Sequence, residues 1–342
     1  MKSLMLFTSV LFAIWCGLYI YSGKENKITT FLDMEHTNIL KGYAIFFVLV
    51  GHVGQYAGVN GIEYPAGVGV SLFLILSGYG ITLSVEKHGL SRYWKKRILR
   101  VFVPYILAET VYMLIARPNR NIVDIILDFT LLKPTHPFGW YLHYILICYI
   151  LFYIVNLLIK NYRYRMIGIG ILFAGWFLVK SVWMIDETPF LQARQMLAFP
   201  LGMLLATKKS GGGQKWNRGY GFCLLLLSTG MYGILHTAIM NVSRMPLVIY
   251  NFLSLWTCVV CALGIIVLTY YVRLLQNHGM TFVAIVSYEI YIVHGYFVNQ
   301  IEQSNFMLGI IEFVVLTMAG TVFLYSISKK IQTGIKTRGG KS

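Results

Sequence analysis

The chain has 342 residues, of which 57% are apolar and 12% are charged, and its mean hydropathy is +0.65. This composition excludes a soluble globular protein, because the apolar runs reach the roughly 20 residues that cross a bilayer. The formal net charge of +16 does not require a nucleic-acid partner. Lys and Arg on the cytoplasmic face of a membrane protein, beside anionic lipid, give the same excess.

The apolar runs predict an all-α polytopic membrane protein with about eleven membrane-spanning helices. The predicted spans are 3–21, 39–57, 66–84, 100–117, 138–159, 166–185, 191–206, 219–240, 247–271, 281–299 and 307–327. The run 191–206 is short for a span. The run 121–132 contains Asp124 and Asp128, which favours an interfacial or re-entrant helix over a crossing one.

The first apolar segment, Leu4 to Ile20, follows a single Lys2 and fits either a signal peptide or an uncleaved anchor. A cleaved signal would place the basic loops that follow on the outer side, so an anchor with its N-terminus outside is the better interpretation. We therefore expect residues 1–35 to form an anchor and linker, 36–328 a membrane domain, and 329–342 a basic tail.

The basic residues predict the orientation of the spans. The loops on one side, together with the C-terminal tail, contain 22 of the 29 Lys and Arg residues. The positive-inside rule makes this side cytoplasmic, and the C-terminus lies with it. The five cysteines all fall inside predicted spans, so we expect neither a disulfide framework nor a metal site.

The first candidate motif is KGYAIFFVLVGH, from Lys41 to His52. The eleven-residue spacing brings His52 back to the helix face of Lys41, about 16 Å deeper in the membrane. Ionisable groups at membrane depth are costly, so the pair marks a functional site by default. A neutral imidazole there suits general-base work on a hydroxyl. Two plainer interpretations stay open: His52 as a bundle hydrogen bond, and Lys41 as a snorkelling anchor.

The second motif, GVGVSLFLILSGYG, covers Gly67 to Gly80. Its small residues let either a neighbouring helix or an extended thin ligand approach the backbone. The glycines taken alone favour helix packing. Ser77 is a candidate hydrogen-bond donor to a ligand carbonyl.

The third motif, SRYWKKRILRVFVPY, covers Ser91 to Tyr105. Arg97 and Arg100 stand three positions apart, so a regular helix presents them on one face at the cytoplasmic end of its span. Two guanidinium groups on one face suit a polyphosphate. A positive-inside loop explains the lysines well, but it explains the matched arginines less well.

The fourth motif, SYEIYIVHGYF, covers Ser287 to Phe297. Ser287, Tyr291 and His294 fall on one helical face, whereas Glu289 points elsewhere. His294 is expected in the outer half of its span, either in a site or as a bundle histidine. Further polar groups at depth or near span ends, of lower rank, are Glu109, His143, His236 and Glu312.

Together these motifs resemble the acyltransferase 3 family of integral-membrane acyltransferases. The opening span of that family has an Arg, an adjacent Gly, and a His eleven positions after the Arg, matched here by Lys41, Gly42 and His52. Other family patterns have counterparts in the same order along the chain. They are the Ser-Gly-aromatic span end at Ser77, Gly78 and Tyr79; Arg-x-x-Arg before Pro-aromatic at Arg97, Arg100, Pro104 and Tyr105; Trp-aromatic-Leu at Trp140, Tyr141 and Leu142; and Ser-Tyr-x-x-Tyr-x-x-His at Ser287, Tyr288, Tyr291 and His294.

The resemblance covers roughly residues 36–328 and implies a ten-helix acyltransferase core, to which the first span is an addition. Two positions depart from the family pattern. Lys41 replaces the Arg, and Asn38 stands where an Asp often precedes it. Lysine keeps the positive charge but lacks the bidentate fork of arginine.

The resemblance also implies a reaction, the transfer of an acyl group from cytosolic acyl-CoA to a hydroxyl group. Acetyl is the expected group and acetyl-CoA the expected co-substrate. His52 would deprotonate the acceptor hydroxyl or relay the acyl group, and Lys41 would steady the donor or tune the histidine. Arg97 and Arg100 would hold the CoA phosphates, with Ser77 also on the donor side.

The implied acceptor is a hydroxyl of a cell-surface polysaccharide or a lipid-linked sugar, at a bacterial cytoplasmic membrane. The candidate acceptor-binding residues are Trp140, Ser287, Tyr291 and His294. Membrane lipid and surface-polysaccharide assembly proteins are the other expected partners, with no nucleic acid and no metal. The alternative is a transporter or flippase of a glycan intermediate, whose polar residues would line a path.

Overall fold

The computed structural model is helical, without a β-strand in the residues that it describes. These residues are 12–20, 28, 30–56, 58–59, 62–116, 118–183, 190–210, 216–241, 246–303 and 306–338. The helices are α1 (residues 12–20), α2 (Met34–Tyr56), α3 (Tyr64–His88), α4 (Tyr93–Arg97), α5 (Val103–Ala116), α6 (Ile122–Phe129), α7 (Gly139–Leu158), α8 (Tyr162–Leu178), α9 (Phe190–Arg194), α10 (Ala198–Ser210), α11 (Arg218–Asn241), α12 (Leu247–Tyr271), α13 (Gly279–Ile285), α14 (Ser287–Phe297), α15 (Gln300–Gln303) and α16 (Phe306–Arg338). Two π-helical turns, Ile98–Phe102 and Val179–Trp183, follow α4 and α8, and a 3-10 turn, Arg273–Leu275, follows α12.

Seven helices among the described residues are long and apolar enough to cross a membrane, or eight if one bent pair is a single span. They confirm the all-α polytopic fold class. The predicted first span, 3–21, is described only over 12–20, where it is helical. The predicted interfacial segment contains α6, whose eight residues extend only about 12 Å and cannot cross a bilayer.

Two predicted spans are broken rather than continuous. The span predicted at 191–206 divides into α9 and α10, with a turn over residues 195–197. Pro200 lies in the first turn of α10, where its missing N–H costs no intrahelical hydrogen bond. The span predicted at 281–299 contains part of a helix pair, Arg273–Ile285 and Ser287–Phe297, that is bent by 72°.

The contacts divide the chain into two compact units, which we describe separately. Unit 1 comprises Met1–Gly89 and Ile147–Ile285, and unit 2 comprises Leu90–Leu146 and Val286–Ser342. Unit 1 therefore contains α1 to α3 and α8 to α13, and unit 2 contains α4 to α6 and α14 to α16. Helix α7 contributes its first half to unit 2 and its second half to unit 1.

In unit 1, α3 packs on two neighbouring helices with almost no side chain between the backbones. A Cβ atom on Gly69 would collide with the carbonyl oxygen of Ala44 in α2. On the other side, a Cβ on Gly78 would collide with the carbonyl oxygen of Phe199, and one on Gly202 with that of Ile75. Small residues allow this approach in lipid, where close packing supplies much of the helix-helix attraction.

Helix α2 also contacts α1, the 3-10 turn after α12, and the start of α13. A Cβ on Gly42 would collide with the carbonyl oxygen of Met280 at the start of α13. Tyr43 accepts a hydrogen bond from the Trp15 indole at 3.0 Å and donates one to the carbonyl of Leu275, also at 3.0 Å. The adjacent Gly42 and Tyr43 therefore bind α2 to its neighbours next to Lys41.

In unit 2, the helix of the third motif is interrupted by a π-helical turn, Ile98–Phe102, between α4 and α5. Pro104 follows this turn and has no N–H with which to continue the ladder of hydrogen bonds. The N–H of Val103 bonds to the carbonyl of Ile98, one residue further back than in an α-helix. The wider turn absorbs the proline without a break in the helix.

The Ser-Gly-aromatic motif offers a matched test of the close packing. We expect Gly78→Ala to lower stability by about 1–3 kcal/mol, because its Cβ has no room beside Phe199. Gly80→Ala is the control, since a Cβ at Gly80 would meet no atom within 4 Å. Thermal unfolding of the two variants, purified in detergent, measures the difference. Equal unfolding temperatures would contradict the assigned role of Gly78.

Candidate active site

Asn38 and Lys41, the two residues that depart from the family pattern, lie together in the first half of α2, at the end that the basic residues predict to be cytoplasmic. The Lys41 ammonium donates a hydrogen bond to the Asn38 side-chain oxygen at 3.3 Å. An open cavity of about 420 Å³ lies beside them, lined by Asp33, Met34, Glu35, Asn38 and Thr281. Its two carboxylates would repel a phosphate, so this cavity is not suited to the phosphates of a nucleotide.

His52 lies near the other end of α2 and is partly buried, as Lys41 is. The residue before it, Gly51, contacts α3 so closely that a Cβ would lie 2.5 Å from the Cβ of Ala66. The helix that carries His52 is therefore fixed against α3 at the level of the histidine. The structure places Lys41 and His52 on one continuous helix, Met34–Tyr56, as the spacing predicts.

Ser77 lies half-buried on α3, within 3.1 Å of the Tyr149 hydroxyl on α7, where either hydroxyl can donate. Its neighbour Gly78 packs on the backbone of Phe199. Helix packing therefore accounts for the glycine of this motif, one of the interpretations that the sequence leaves open. The hydroxyl of Ser77 already has a protein partner, Tyr149.

Arg97 and Arg100 differ in exposure, and a π-helical turn begins between them. Arg97 is only 8% exposed, and its guanidinium lies 5.2 Å from the centre of the Tyr93 ring. Arg100 is exposed. The π-helical turn Ile98–Phe102 includes Arg100, so the rotation per residue between the two arginines differs from that of a regular α-helix.

The π-helical turn that carries Arg100 is bonded to the fourth motif. The Tyr288 hydroxyl of α14 donates a hydrogen bond to the carbonyl of Val101 at 2.8 Å. Both residues belong to unit 2. The second residue of the Ser-Tyr pattern therefore links the Arg-x-x-Arg turn to the helix of His294, a contact that no spacing in the sequence indicates.

The predicted face of α14 is buried inside unit 2. Ser287, Tyr291 and His294 are all buried, and so is Glu289 on another face. The Tyr291 hydroxyl donates to the carbonyl of Phe138 at 3.0 Å. The His294 ring stacks parallel to the Phe138 ring, with 4.9 Å between their centres.

The orientation of the His294 ring follows from its own helix. Its Nδ1 lies 3.0 Å from the carbonyl of Ile290, and a carbonyl only accepts, so Nδ1 holds the proton in that bond. The lone pair of the neutral ring is then at Nε2. Trp140 is next to Tyr141, whose ring centre is 4.9 Å from that of Tyr291. The structure therefore brings Trp140, Tyr291 and His294 into one aromatic cluster.

A buried carboxylate, Asp128 of α6, organises the segment that leads to this cluster. One of its oxygens accepts from the Tyr105 hydroxyl at 2.5 Å and from the Thr135 N–H at 3.0 Å. The other accepts from Arg120 at 2.7 Å and from the Thr135 hydroxyl at 2.6 Å. Four donors from three parts of unit 2 thus converge on one side chain, which holds the loop 130–138 in place.

Glu109 of α5 is a second buried carboxylate near the same arginine. Its Oε1 accepts from the Tyr296 hydroxyl at 2.6 Å, and its Oε2 lies 3.9 Å from Arg120. The Tyr296 ring in turn stacks on Tyr112, with 5.0 Å between the ring centres. Two carboxylates therefore share the positive charge of Arg120 in a buried setting.

His136 connects the loop 130–138 to α14. Its Nδ1 accepts from the N–H of Phe138 at 3.1 Å, so the proton of the neutral ring is at Nε2, which donates to the carbonyl of Ile292 at 2.7 Å. Burial lowers the pKa of His136 to about 4, against 6.5 for an ordinary histidine. Gly295 makes room for the ring, because a Cβ there would lie 2.5 Å from the His136 Cε1.

The sequence did not identify Asp128, Arg120 and His136 as members of the buried hydrogen-bond network of unit 2. Asp128 looked like an interruption of an apolar run, and His136 lies in a loop between two prolines, Pro134 and Pro137. The one available signal was that a short amphipathic helix with a carboxylate on its polar side must bury or hydrate that group. Glu109, ranked low as a polar group at depth, belongs to the same network. The side chain of His236 lies outside the described residues.

The described part of the chain contains no group of three His, Cys, Asp or Glu side chains able to hold a metal ion. The five cysteines are free thiols, and Cys258 and Cys261 are buried in α12.

The fold defines a multi-pass membrane protein, and the family comparison defines its class. Residues 34–329 match the acyltransferase domain of the acyltransferase 3 family. Because the match covers nearly the whole chain, the protein belongs to this family and is a membrane acyltransferase. No curated protein and no solved structure matches the chain.

Asp128 and Asp124 of α6 form a matched pair for testing the loop anchor. We expect Asp128→Asn to lower stability by about 3–5 kcal/mol, because the amide nitrogen cannot accept the hydrogen bonds that the carboxylate oxygen accepts. Asp124→Asn is the control, since Asp124 is only partly buried. Chemical unfolding in detergent measures both. A loss in the control as large as that in Asp128→Asn would contradict the anchoring role.

Protonation of His136 predicts a specific loss of stability in acid. The folded pKa of about 4 is below the unfolded value of 6.5, so between them the unfolded chain binds a proton that the folded chain does not. Stability should therefore fall as the pH drops from 6.5 towards 4, by up to about 1.4 kcal/mol per pH unit, and level off below. Thermal unfolding across this range should show a shallower slope for His136→Asn. Identical slopes would overturn the prediction.

Proposed function

We propose that the protein is a membrane O-acyltransferase that moves an acetyl group from cytosolic acetyl-CoA to a hydroxyl of a cell-surface polysaccharide or lipid-linked sugar. Family membership supports acyl transfer in the membrane. The structure of α2 supports a site on this helix. Gly42 and Gly51 pack on neighbouring backbones, while Lys41 and His52 stay partly exposed.

The proposed chemistry uses His52 as the base. Its imidazole takes the proton of the acceptor hydroxyl as the oxygen attacks the thioester carbonyl of acetyl-CoA. The carbon-sulfur bond then breaks, the CoA thiolate leaves and takes up a proton, and the ester remains on the sugar. A relay in which His52 first accepts the acetyl group is the alternative course and gives the same products.

On the donor side, Arg97 and Arg100 are the proposed phosphate ligands. The exposed Arg100 suits direct contact with a phosphate, and Arg97, fixed on Tyr93, contributes a held positive charge. Lys41 is proposed to steady the donor or tune His52. Its partner Asn38 is neutral, so the ammonium charge is not neutralised by that residue. Ser77 would contribute a hydroxyl to the donor only by sharing it with Tyr149.

On the acceptor side, the proposed ligands are the buried residues of unit 2. His294, Tyr291 and Trp140 supply ring surface, which suits the apolar faces of a sugar ring. Ser287 completes the face of α14. Asp128 and His136 would act indirectly, by holding the loop whose Phe138 stacks on His294.

The proposed setting is a bacterial cytoplasmic membrane with the C-terminus in the cytoplasm. Acetyl-CoA is made in the cytosol, and the basic loops, including the one with Arg97 and Arg100, fall on the cytoplasmic side by the positive-inside rule. Surface-polysaccharide assembly proteins are the proposed protein partners, because the acceptor is their product.

The central test removes the proposed base and one donor ligand. We expect His52→Ala to lower transfer of acetyl to the surface polysaccharide by at least about 100-fold and Arg97→Ala to abolish it. Mass spectrometry of the polysaccharide, from cells that express each variant in place of the wild type, measures one acetyl group per modified unit.

Two kinds of control accompany this test: substitutions of exposed residues away from the proposed site, and a conservative substitution of Arg97. His88→Ala and Arg163→Ala remove an exposed histidine and an exposed arginine from α3 and α8 and should leave acetylation intact. Arg97→Lys and a membrane-fraction blot separate loss of function from loss of the folded protein. Acetylation of the polysaccharide that survives both His52→Ala and Arg97→Ala would disprove the proposed site and the proposed acceptor.

A further inference from the structure

One end of unit 1 contains a group of polar side chains that the proposed reaction leaves without a role. At this end α2 and α8 finish, and α3 and α12 begin. The group, called the end cluster below, comprises Lys180, Ser181, Gln192, Arg194, Gln195 and Asn251. Five of the six are buried, and Arg194 is half-buried. Buried polar groups in a membrane protein are costly and are candidates for a functional role.

A fully buried amide holds Arg194 in place. The Nε of Arg194 donates to the Asn251 side-chain oxygen at 3.1 Å. The Asn251 amide nitrogen in turn donates to the Ser181 hydroxyl at 3.1 Å. The guanidinium carbon lies 4.3 Å from the centre of the Tyr250 ring, within range of a cation-π interaction. Arg194 is therefore fixed by its Nε and by one face.

The rest of the end cluster is built in the same way. Gln195 accepts from the Ser71 hydroxyl at 2.6 Å and donates to the carbonyl of Gly67 at 3.0 Å. Gln192 accepts from the Trp176 indole at 3.2 Å. The Lys180 ammonium lies 5.1 Å from the centre of the same indole ring. Buried amides thus hold two pairs of a cation and an aromatic ring.

The end cluster contacts α3 beside the helix of His52. Gly67, whose carbonyl accepts from Gln195, is the next residue after Ala66. Ala66 is the residue on which Gly51 packs, and Gly51 precedes His52. The residue before His52 and the end cluster therefore contact α3 at adjacent residues, Ala66 and Gly67.

The side chains of the end cluster and its aromatic neighbours differ in exposure. Gln192, Gln195 and Asn251 are buried, whereas Arg194, Trp176 and Tyr250 are half-buried. Half-buried aromatic faces beside a fixed guanidinium suit a polyhydroxyl ring, which offers C–H groups to the aromatic face and oxygens to N–H donors. The π-helical turn Val179–Trp183, which carries Lys180 and Ser181, is a distortion often found at functional sites.

We propose that the end cluster binds the sugar of the acceptor, with Arg194 donating hydrogen bonds to its oxygens, and presents one hydroxyl to His52. This inference rests on the proposed acetyl transfer and concerns residues of unit 1 alone. Arg194 acts on the sugar and not on acetyl-CoA, so its loss should separate the kinetics of the two substrates.

The test uses the purified full-length protein, labelled acetyl-CoA, and surface polysaccharide from cells that lack the gene. Arg194→Ala should raise the KM for the polysaccharide by at least about tenfold, the loss expected for one charged hydrogen bond. The KM for acetyl-CoA should stay within about twofold of the wild-type value. Arg194→Lys should fall between, because lysine keeps the charge but lacks the Nε–H that bonds Asn251.

Arg163→Ala, at the start of α8 and exposed, is the matched arginine control and should change neither KM. Equal changes in the two KM values, or no change with an active wild type, would overturn the inference. Oligosaccharide fragments of the polysaccharide, titrated without acetyl-CoA, give a second readout in the fluorescence of Trp176, assigned with Trp176→Phe. If the wild type transfers no acetyl, the proposed function fails, and a fluorescence change that Arg194→Ala abolishes still supports a sugar site.

Discussion

Direct contact between helix backbones is the constraint on which the rest of unit 1 depends. In lipid an apolar side chain gains little by leaving the membrane for another helix, so attraction must come from close packing and hydrogen bonds. Glycines on α2, α3 and α10 supply that packing. Because Gly42 and Gly51 both take part in this packing, α2 is fixed next to Lys41 and next to His52. The family pattern that joins a glycine to the first cation thus has a mechanical reason.

Unit 2 obtains its order from hydrogen bonds between polar groups. Asp128 accepts hydrogen bonds from Tyr105, Arg120 and Thr135. His136, in the same loop as Thr135, donates to the carbonyl of Ile292 and so links the loop 130–138 to α14. A buried network of this kind specifies one geometry only when its members are satisfied, because each unpaired group is costly. The aromatic stack of Phe138 on His294 is the end of this chain of contacts.

Long apolar runs made the fold class and most spans predictable, because lipid demands continuous helices of known length. Local breaks were not predictable in the same way. Pro200 follows the turn between α9 and α10, and Pro104 follows the π-helical turn at Arg100, but a proline in the sequence does not indicate which distortion results. Motif spacing located His52 and His294 on their helices. Spacing could not find Asp128 or His136, since their partners lie on segments that only the folded chain brings near.

The two residues that depart from the family pattern, Asn38 and Lys41, are hydrogen-bonded to each other, so the two departures affect one contact. An Asp before an Arg would form an ion pair of no net charge, whereas Asn38 and Lys41 form a hydrogen bond that keeps one positive charge. The carboxylates that line the adjacent cavity, Asp33 and Glu35, belong to the turn before α2 and to its first turn. Because lysine has no guanidinium fork, the role proposed for Lys41 requires its charge and not bidentate binding.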